Sequence, residues 1–191
     1  MLKSTINKRY EKHDCARGCQ GDIIRDAKIR GVVDGGTVEE IALPYVILLT
    51  QDCDLEQSVK NSMTDESAGT VSKNNQYLPN VLILPAFPGE SVREGDHLKE
   101  LFSITQDRIT SDPWKRIREN NNDRYHFLPS CTAFQIPELI IDFKIYFSIL
   151  YIELMKFYNN GGYLGTINEL FRERLSQRFS NYLSRIGLPE I

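Results

Sequence analysis

Asp52, Cys53 and Asp54 place a thiol between two carboxylates, directly after the most strand-like apolar run of the sequence. A cysteine becomes a nucleophile when a nearby histidine or a helix N-terminus lowers its pKa. His126 is the histidine that the predicted elements place best for this role. The resulting set of predicted catalytic residues is Asp52, Cys53, Asp54 and His126.

The same residues also have a structural interpretation. Adjacent negative charges raise the pKa of a thiol, and cysteine is among the most buried residue types. Cys53 would then point into the core, while Asp52 and Asp54 accept hydrogen bonds from a following turn. The two aspartates could also bind Mg²⁺ with a third carboxylate, from Asp22 or Asp26. We expect the Cys53 sulfur to have a structural role in the core and at least one of the two aspartates to have a functional role.

His13, Cys15 and Cys19 lie within seven residues, HDCARGC. The C-x3-C spacing is within the range of zinc sites, and Cys53 and Cys131 could complete a tetrahedral set. No second C-x2-C pair is present, however, so the pattern is incomplete. We therefore predict no metal ligand and no cofactor, and the sequence leaves open whether His13, Cys15 and Cys19 bind a metal.

A basic segment that contains aromatic residues, WKRIRENNNDRY, begins at Trp114. Positive and aromatic side chains together are the combination that holds single-stranded nucleic acid. Its acidic residues favour the alternative of a solvated surface helix. The predicted nucleic-acid-binding residues are Trp114, Lys115, Arg116, Arg118 and Arg124.

The composition limits the function classes. The chain has 191 residues and a net charge of −3, so any contact with a polyanion has to be a local patch. The longest apolar stretch, residues 139–158, contains four charged residues, which argues against a membrane span. The N-terminal residues are charged and do not resemble a signal peptide. We expect a cytoplasmic protein with reduced cysteines.

Short strands are expected to position these residues. Val46 to Leu49 is a contiguous apolar run typical of a strand buried on both faces. The turn signal Asp34-Gly35-Gly36 separates two earlier strands, and residues 58–76 are polar enough for a long loop. Further strands are predicted at residues 78–84 and 125–128, and a short helix at residues 114–119. Residues 139–158 could be strand or helix.

The last helix has the clearest pattern in the sequence. Thr166 and Glu169 have the spacing of a capping box, and Gly187 stands where a helix-ending glycine belongs. Apolar residues recur at helical spacing over residues 166–186. We expect this helix to bury Leu170, Phe171, Leu175 and Phe179.

The order of these elements predicts the fold class. No helix of adequate length separates the early strands, so a parallel sheet is excluded and antiparallel pairing is expected. The prediction is a mainly β chain with a C-terminal helix (α+β), built as a small, SH3-like, strongly bent antiparallel barrel. We expect a polar arm at residues 1–19, the barrel at residues 20–150 and a helical extension at residues 151–191.

Several short motifs resemble, in order and hydropathy, the MazF/PemK-like toxin family over residues 20–150. They are Gly21-Asp22-Ile23, Pro44 with its strand, Asn80 to Pro85, and Phe127-Leu128-Pro129. The resemblance implies an SH3-like barrel, metal-free endoribonuclease activity and inhibition by an antitoxin. Leu43 and Phe87 stand where the family has the arginine and threonine that assist RNA cleavage.

Three functions follow as expectations. The first is a toxin-related, RNA-directed protein of a bacterial toxin–antitoxin or phage-defence system that lacks the usual ribonuclease residues. The second is a non-catalytic module that binds protein or nucleic acid. The third is a thiol or metal-dependent enzyme centred on Cys53. The expected partners are RNA, or an antitoxin or other protein at the C-terminal helix, and a homodimer is compatible with the sequence.

Overall fold

The structure, a computed structural model, describes residues 8–32, 36–65 and 78–185. Its contacts divide the chain into two units. The first comprises residues 1–86 and 146–168, and the second comprises residues 87–145 and 169–191. The predicted fold class is confirmed: the chain is mainly antiparallel β with a C-terminal helix.

The first unit is an antiparallel sheet with two helices. Its elements are β1 (Tyr10–Glu11), β2 (Asp22–Val32), β3 (Val38–Leu48), α1 (Asp52–Asp65), β4 (Asn80–Pro88), β7 (Phe147–Leu150), α5 (Tyr151–Asn159) and β8 (Tyr163–Ile167). Strand β8 pairs with β1 and β2, β3 pairs with β2 and β4, and β7 pairs with β4. The last two residues of β4 belong to the second unit.

A β-bulge interrupts the pairing of β2 with β8. The register shifts between Ile23 and Ile24, where the partner changes from Gly165 to Tyr163, so the extra residue lies on β8. A bulge bends the strand that carries it and increases its twist. Asp22, the first residue of β2, lies beside this bulge and is fully buried.

The run from Val46 to Leu49 is buried, as predicted for a central strand. The residues after it differ from the prediction, because the chain enters α1 at Asp52 instead of making a turn. Two carboxylates in the first turn favour a helix start, since they face its positive end. Residues 58–65, predicted as loop, therefore belong to this helix, and residues 66–77 lie outside the described residues.

The second unit combines helices with a two-stranded hairpin. Its elements are α2 (Gly89–Glu94), α3 (Lys99–Phe102), α4 (Ser111–Arg118), β5 (Tyr125–Leu128), β6 (Leu139–Asp142) and α6 (Glu169–Leu183). Strands β5 and β6 pair antiparallel, with Tyr125 opposite Asp142. Residues 139–158, for which the sequence left strand or helix open, contain both: the strands β6 and β7 and the helix α5.

The C-terminal helix is present, but its predicted start is wrong. Thr166 lies in β8, so it cannot cap a helix that begins at Glu169. Leu175 and Phe179 are buried as expected, whereas Leu170 is 57% exposed. The capping-box spacing is therefore accidental, because the Thr166 hydroxyl bonds to Asp22 instead. None of the described helices is both long enough and apolar enough to span a bilayer.

Candidate functional site

The predicted nucleophile Cys53 is exposed at the first turn of α1. Its sulfur lies 3.7 Å from Gln51 Oε1 and 3.7 Å from Asp54 Oδ1. The expectation that this sulfur packs in the core is wrong, because the helix start turns it outward. His126 is buried on β5 of the second unit, whereas Cys53 belongs to the first.

Asp52 connects α1 to the N-terminal loop. Its carboxylate accepts hydrogen bonds from Arg17 Nη1 at 3.0 Å and Nη2 at 3.2 Å. It also accepts one from the backbone N–H of Gln20 at 3.3 Å. A bidentate arginine fixes both distance and orientation. Residues 17–20, predicted as part of a polar arm, are therefore held at the end of the central strand.

The densest polar group of the first unit surrounds Asp22, and we call it the Asp22 cluster. Asp22 is fully buried. Its Oδ1 accepts from Thr166 Oγ1 at 2.5 Å and from His13 Nε2 at 2.8 Å. Its Oδ2 accepts from the Tyr158 hydroxyl and from the backbone N–H of Cys19, the latter at 2.7 Å. Four donors therefore satisfy this carboxylate, as a buried charge requires.

His13 lies between acceptors on both sides of its ring. Nε2 faces Asp22, while Nδ1 contacts the carbonyl oxygen of Asp14 and lies 3.9 Å from Cys19 Sγ. The hydrogen bond with Asp22 raises the pKa of His13 above its usual 6.5, although burial opposes this. Because both nitrogens face acceptors, the geometry favours the doubly protonated ring.

Cys19 is the thiol of the same cluster. Burial is the main cause that raises its pKa to about 12, and the charge of Asp22 adds to it. The thiol is therefore protonated at neutral pH. One ligand atom each from His13, Cys19 and Asp22 lies within 4.8 Å of the other two. Nitrogen, sulfur and carboxylate oxygen are together a donor set that zinc accepts.

A second buried carboxylate, Asp142, forms the Asp142 cluster of the second unit. Arg124 donates to it from Nε at 2.8 Å and from Nη2 at 2.5 Å. His97 Nε2 lies 3.4 Å away, and the backbone N–H of Lys144 donates at 3.1 Å. Burial alone would raise the pKa of Asp142, but the hydrogen bonds from Arg124 and His97 bring it below its usual value.

The Asp142 cluster separates Arg124 from the other predicted nucleic-acid-binding residues. Its guanidinium is engaged with the carboxylate and lies 4.7 Å from the centre of the Tyr125 ring. Arg116 is exposed on α4. Trp114, Lys115 and Arg118 line a groove of about 380 Å³ together with Arg93, Ser111, Glu119 and Phe127.

Arginines lie over both aromatic rings of this groove, which we call the α4 groove. The Arg93 guanidinium carbon is 5.9 Å from the Trp114 ring centre. The corresponding distance from Arg118 to Phe127 is 5.5 Å. Arg118 also pairs with Glu138 at 3.4 Å. The groove thus presents guanidinium groups beside two aromatic rings.

The sequence contained only partial signals for these groups. Gly21-Asp22 before an apolar strand marked a special position, and HDCARGC marked His13 and Cys19. Neither pattern predicted that they meet Tyr158 and Thr166. Asp142 stands in an apolar strand, where a single charged residue indicates a buried ion pair. The sequence does not show which residue is its partner.

Comparisons of the chain with family models, with curated proteins and with solved structures find no match. The function must therefore be inferred from the chain's own residues.

Proposed function

We propose that this chain is an RNA-directed protein of a bacterial toxin–antitoxin or phage-defence system, and that it binds single-stranded RNA in the α4 groove. The observation that carries the proposal is the pair of arginine-covered rings, Trp114 and Phe127, in one groove. Lys115 adds a third positive charge at the groove. The resemblance of residues 20–150 to MazF/PemK-like toxins supports the RNA class, and a cytoplasmic location belongs to the same proposal.

Binding without the family's cleavage chemistry fits the two altered positions. Leu43 is 1% exposed and Phe87 is 2% exposed. Apolar side chains in the core can neither stabilise a phosphorane nor orient a 2′-hydroxyl. We expect the purified protein to leave RNA intact without added metal while still retaining it.

The test is fluorescence anisotropy with a labelled single-stranded RNA. Trp114→Ala should weaken binding about 5- to 150-fold, since one stacked base contributes roughly 1–3 kcal/mol. Arg116→Ala is the matched control, because it removes one charge from the same helix outside the groove lining. Equal losses in both variants would show that the Trp114 ring contributes no more than an exposed charge outside the groove, which contradicts binding by stacking there. Absence of binding by the wild type would refute the proposal.

A second candidate function is protein binding through α6. Leu170 is 57% exposed and Leu183 is 52% exposed on this helix. An antitoxin, another protein or a second copy of the chain would bury such side chains. Sedimentation of the wild type beside Leu170→Asp tests the homodimer. A monomer at all concentrations would count against self-association.

A further inference from the structure

The Asp22 cluster has an unusual source of positive charge. Within the described residues, the ionisable cation recorded at ion-pair distance from Asp22 is His13, at 2.8 Å. Tyr158, Thr166 and the backbone N–H of Cys19 donate hydrogen bonds but carry no net charge. A buried carboxylate needs its charge compensated. In this cluster the side chain that faces Asp22 at ion-pair distance is an imidazole, which is also a common metal ligand.

A metal ion held between these side chains would supply positive charge to the buried carboxylate. We propose that His13, Cys19 and Asp22 form a binding site for a divalent transition metal of the zinc type, which goes beyond the RNA-binding role. The three side chains offer nitrogen, sulfur and oxygen within 4.8 Å of one another. Binding of the ion would release the Cys19 proton to solvent, because the thiolate is the form that coordinates a metal. Imidazole and thiolate select zinc and similar ions over Mg²⁺ and Ca²⁺, which prefer all-oxygen sites.

The distances allow coordination after a small adjustment. Tetrahedral zinc with ordinary bond lengths separates its nitrogen, sulfur and oxygen ligands by about 3.4–3.6 Å. Only one ring nitrogen of His13 can bind the ion, and the ligand atoms of the three residues lie within 4.8 Å of one another. The separations that are too long therefore have to shorten by at most about 1.4 Å. The shortest contact, 2.8 Å between His13 Nε2 and Asp22 Oδ1, would have to open slightly.

The surroundings of the ligands resemble the support that metal ligands receive. The Thr166 and Tyr158 hydroxyls hold the Asp22 carboxylate from the side of β8 and α5. Such outer hydrogen bonds orient a ligating carboxylate. The His13 side chain is 24% exposed, which gives an ion a way in from solvent. Cys15, exposed in the same loop, or a water molecule can take the fourth position.

The experiment is metal titration of the full chain under reducing conditions. Zn²⁺ is titrated in competition with a chromogenic chelator, and Co²⁺ is used to record the thiolate-to-cobalt absorption. We expect one equivalent bound by the wild type and a cobalt–thiolate band. Cys19→Ser should weaken that band, and both Cys19→Ser and His13→Gln should weaken Zn²⁺ binding at least about tenfold. Cys53→Ser, which removes an exposed thiol of the same unit, should bind like the wild type.

Two results would overturn the metal site. One is the absence of one-equivalent uptake by the wild type. The other is unchanged binding in both Cys19→Ser and His13→Gln. Circular dichroism verifies that each variant is folded. If Cys19→Ser does not fold, His13→Gln still tests the site, because it replaces a partly exposed loop residue. Trp114→Ala should leave metal binding unchanged, so this test and the RNA test can fail independently.

Discussion

Among the residues that the structure describes, each unit has one fully buried aspartate, Asp22 in the first and Asp142 in the second. Both carboxylates accept several hydrogen bonds, and both have a histidine nearby. They differ in the charge that faces them. Asp142 has the permanent, bidentate guanidinium of Arg124, whereas Asp22 has the titratable ring of His13.

The two histidines also differ in geometry. His97 Nε2 lies 3.4 Å from Asp142, whereas His13 Nε2 lies 2.8 Å from Asp22. His97 is buried, and its Nδ1 has no hydrogen-bond partner among the described residues. Equal burial of the two aspartates therefore does not mean equal roles: a permanent charge pairs with Asp142, and a titratable imidazole pairs with Asp22.

The largest expected effect is the loss of the permanent charge. Arg124→Met leaves Asp142 buried without its cation, and we expect a loss of about 3–5 kcal/mol of unfolding free energy. Urea unfolding followed by circular dichroism measures it. Arg116→Met, on the exposed surface of α4, should change stability by less than about 0.5 kcal/mol. A loss below about 1 kcal/mol for Arg124→Met would show that Asp142 is balanced in another way.

The second effect concerns the apolar support of the Asp142 cluster. Phe143, next to Asp142, contacts the Phe179 ring of α6 with centroids 5.6 Å apart. Leu175, one turn earlier in α6, is 1% exposed. Leu175→Ala should cost about 2–5 kcal/mol in the same urea experiment. Leu170→Ala on the exposed side of α6 is the control, and equal losses in the two variants would contradict the observed burial.

The sequence predicted the apolar framework better than the polar clusters, for a physical reason. The local spacing of apolar residues predicts the burial of the run from Val46 to Leu49 and of the apolar stripe of α6. The bonds from Tyr158 and Thr166 to Asp22 join residues 136 and 144 positions apart. Pairing at such separations depends on the sheet register, which local patterns do not contain.

The prediction at Asp52-Cys53-Asp54 shows the same limit. A thiol between carboxylates at a strand end pointed to a site, and the neighbourhood does contain thiol, imidazole and carboxylate groups. The cysteine and histidine of that neighbourhood are Cys19 and His13, whereas Cys53 faces outward on α1. The loop that carries them looked like a polar arm because its partners lie far along the chain.

The third effect is a loss of stability in acid that originates at Asp142. Its pKa in the folded chain is below the usual 3.8. The group therefore stabilises the fold fully above pH 3.8, and this contribution disappears as the pH falls through the folded value. Unfolding free energies measured from pH 6 down to pH 2 should show the decrease. Asp142→Asn should start from a lower stability and decrease less steeply over this range; a slope equal to that of the wild type would place the acid sensitivity elsewhere.

The smallest effect is a loss of stability at higher pH, which originates in the Asp22 cluster. The pKa of His13 is raised above 6.5 by Asp22, so its stabilising contribution is complete below pH 6.5 and is lost as the pH rises through the folded value. We expect His13→Gln to cost about 0.5–1.5 kcal/mol at pH 6, the net contribution of one hydrogen bond, and less at pH 9. The loss is small because Thr166, Tyr158 and the Cys19 N–H still satisfy the carboxylate. If the cluster binds a metal, Zn²⁺ should remove the decline of the wild type between pH 6 and pH 9. It should not change the stability of His13→Gln, which lacks this decline. A metal-free wild type whose stability does not depend on pH in this range would remove the contrast between the two aspartates.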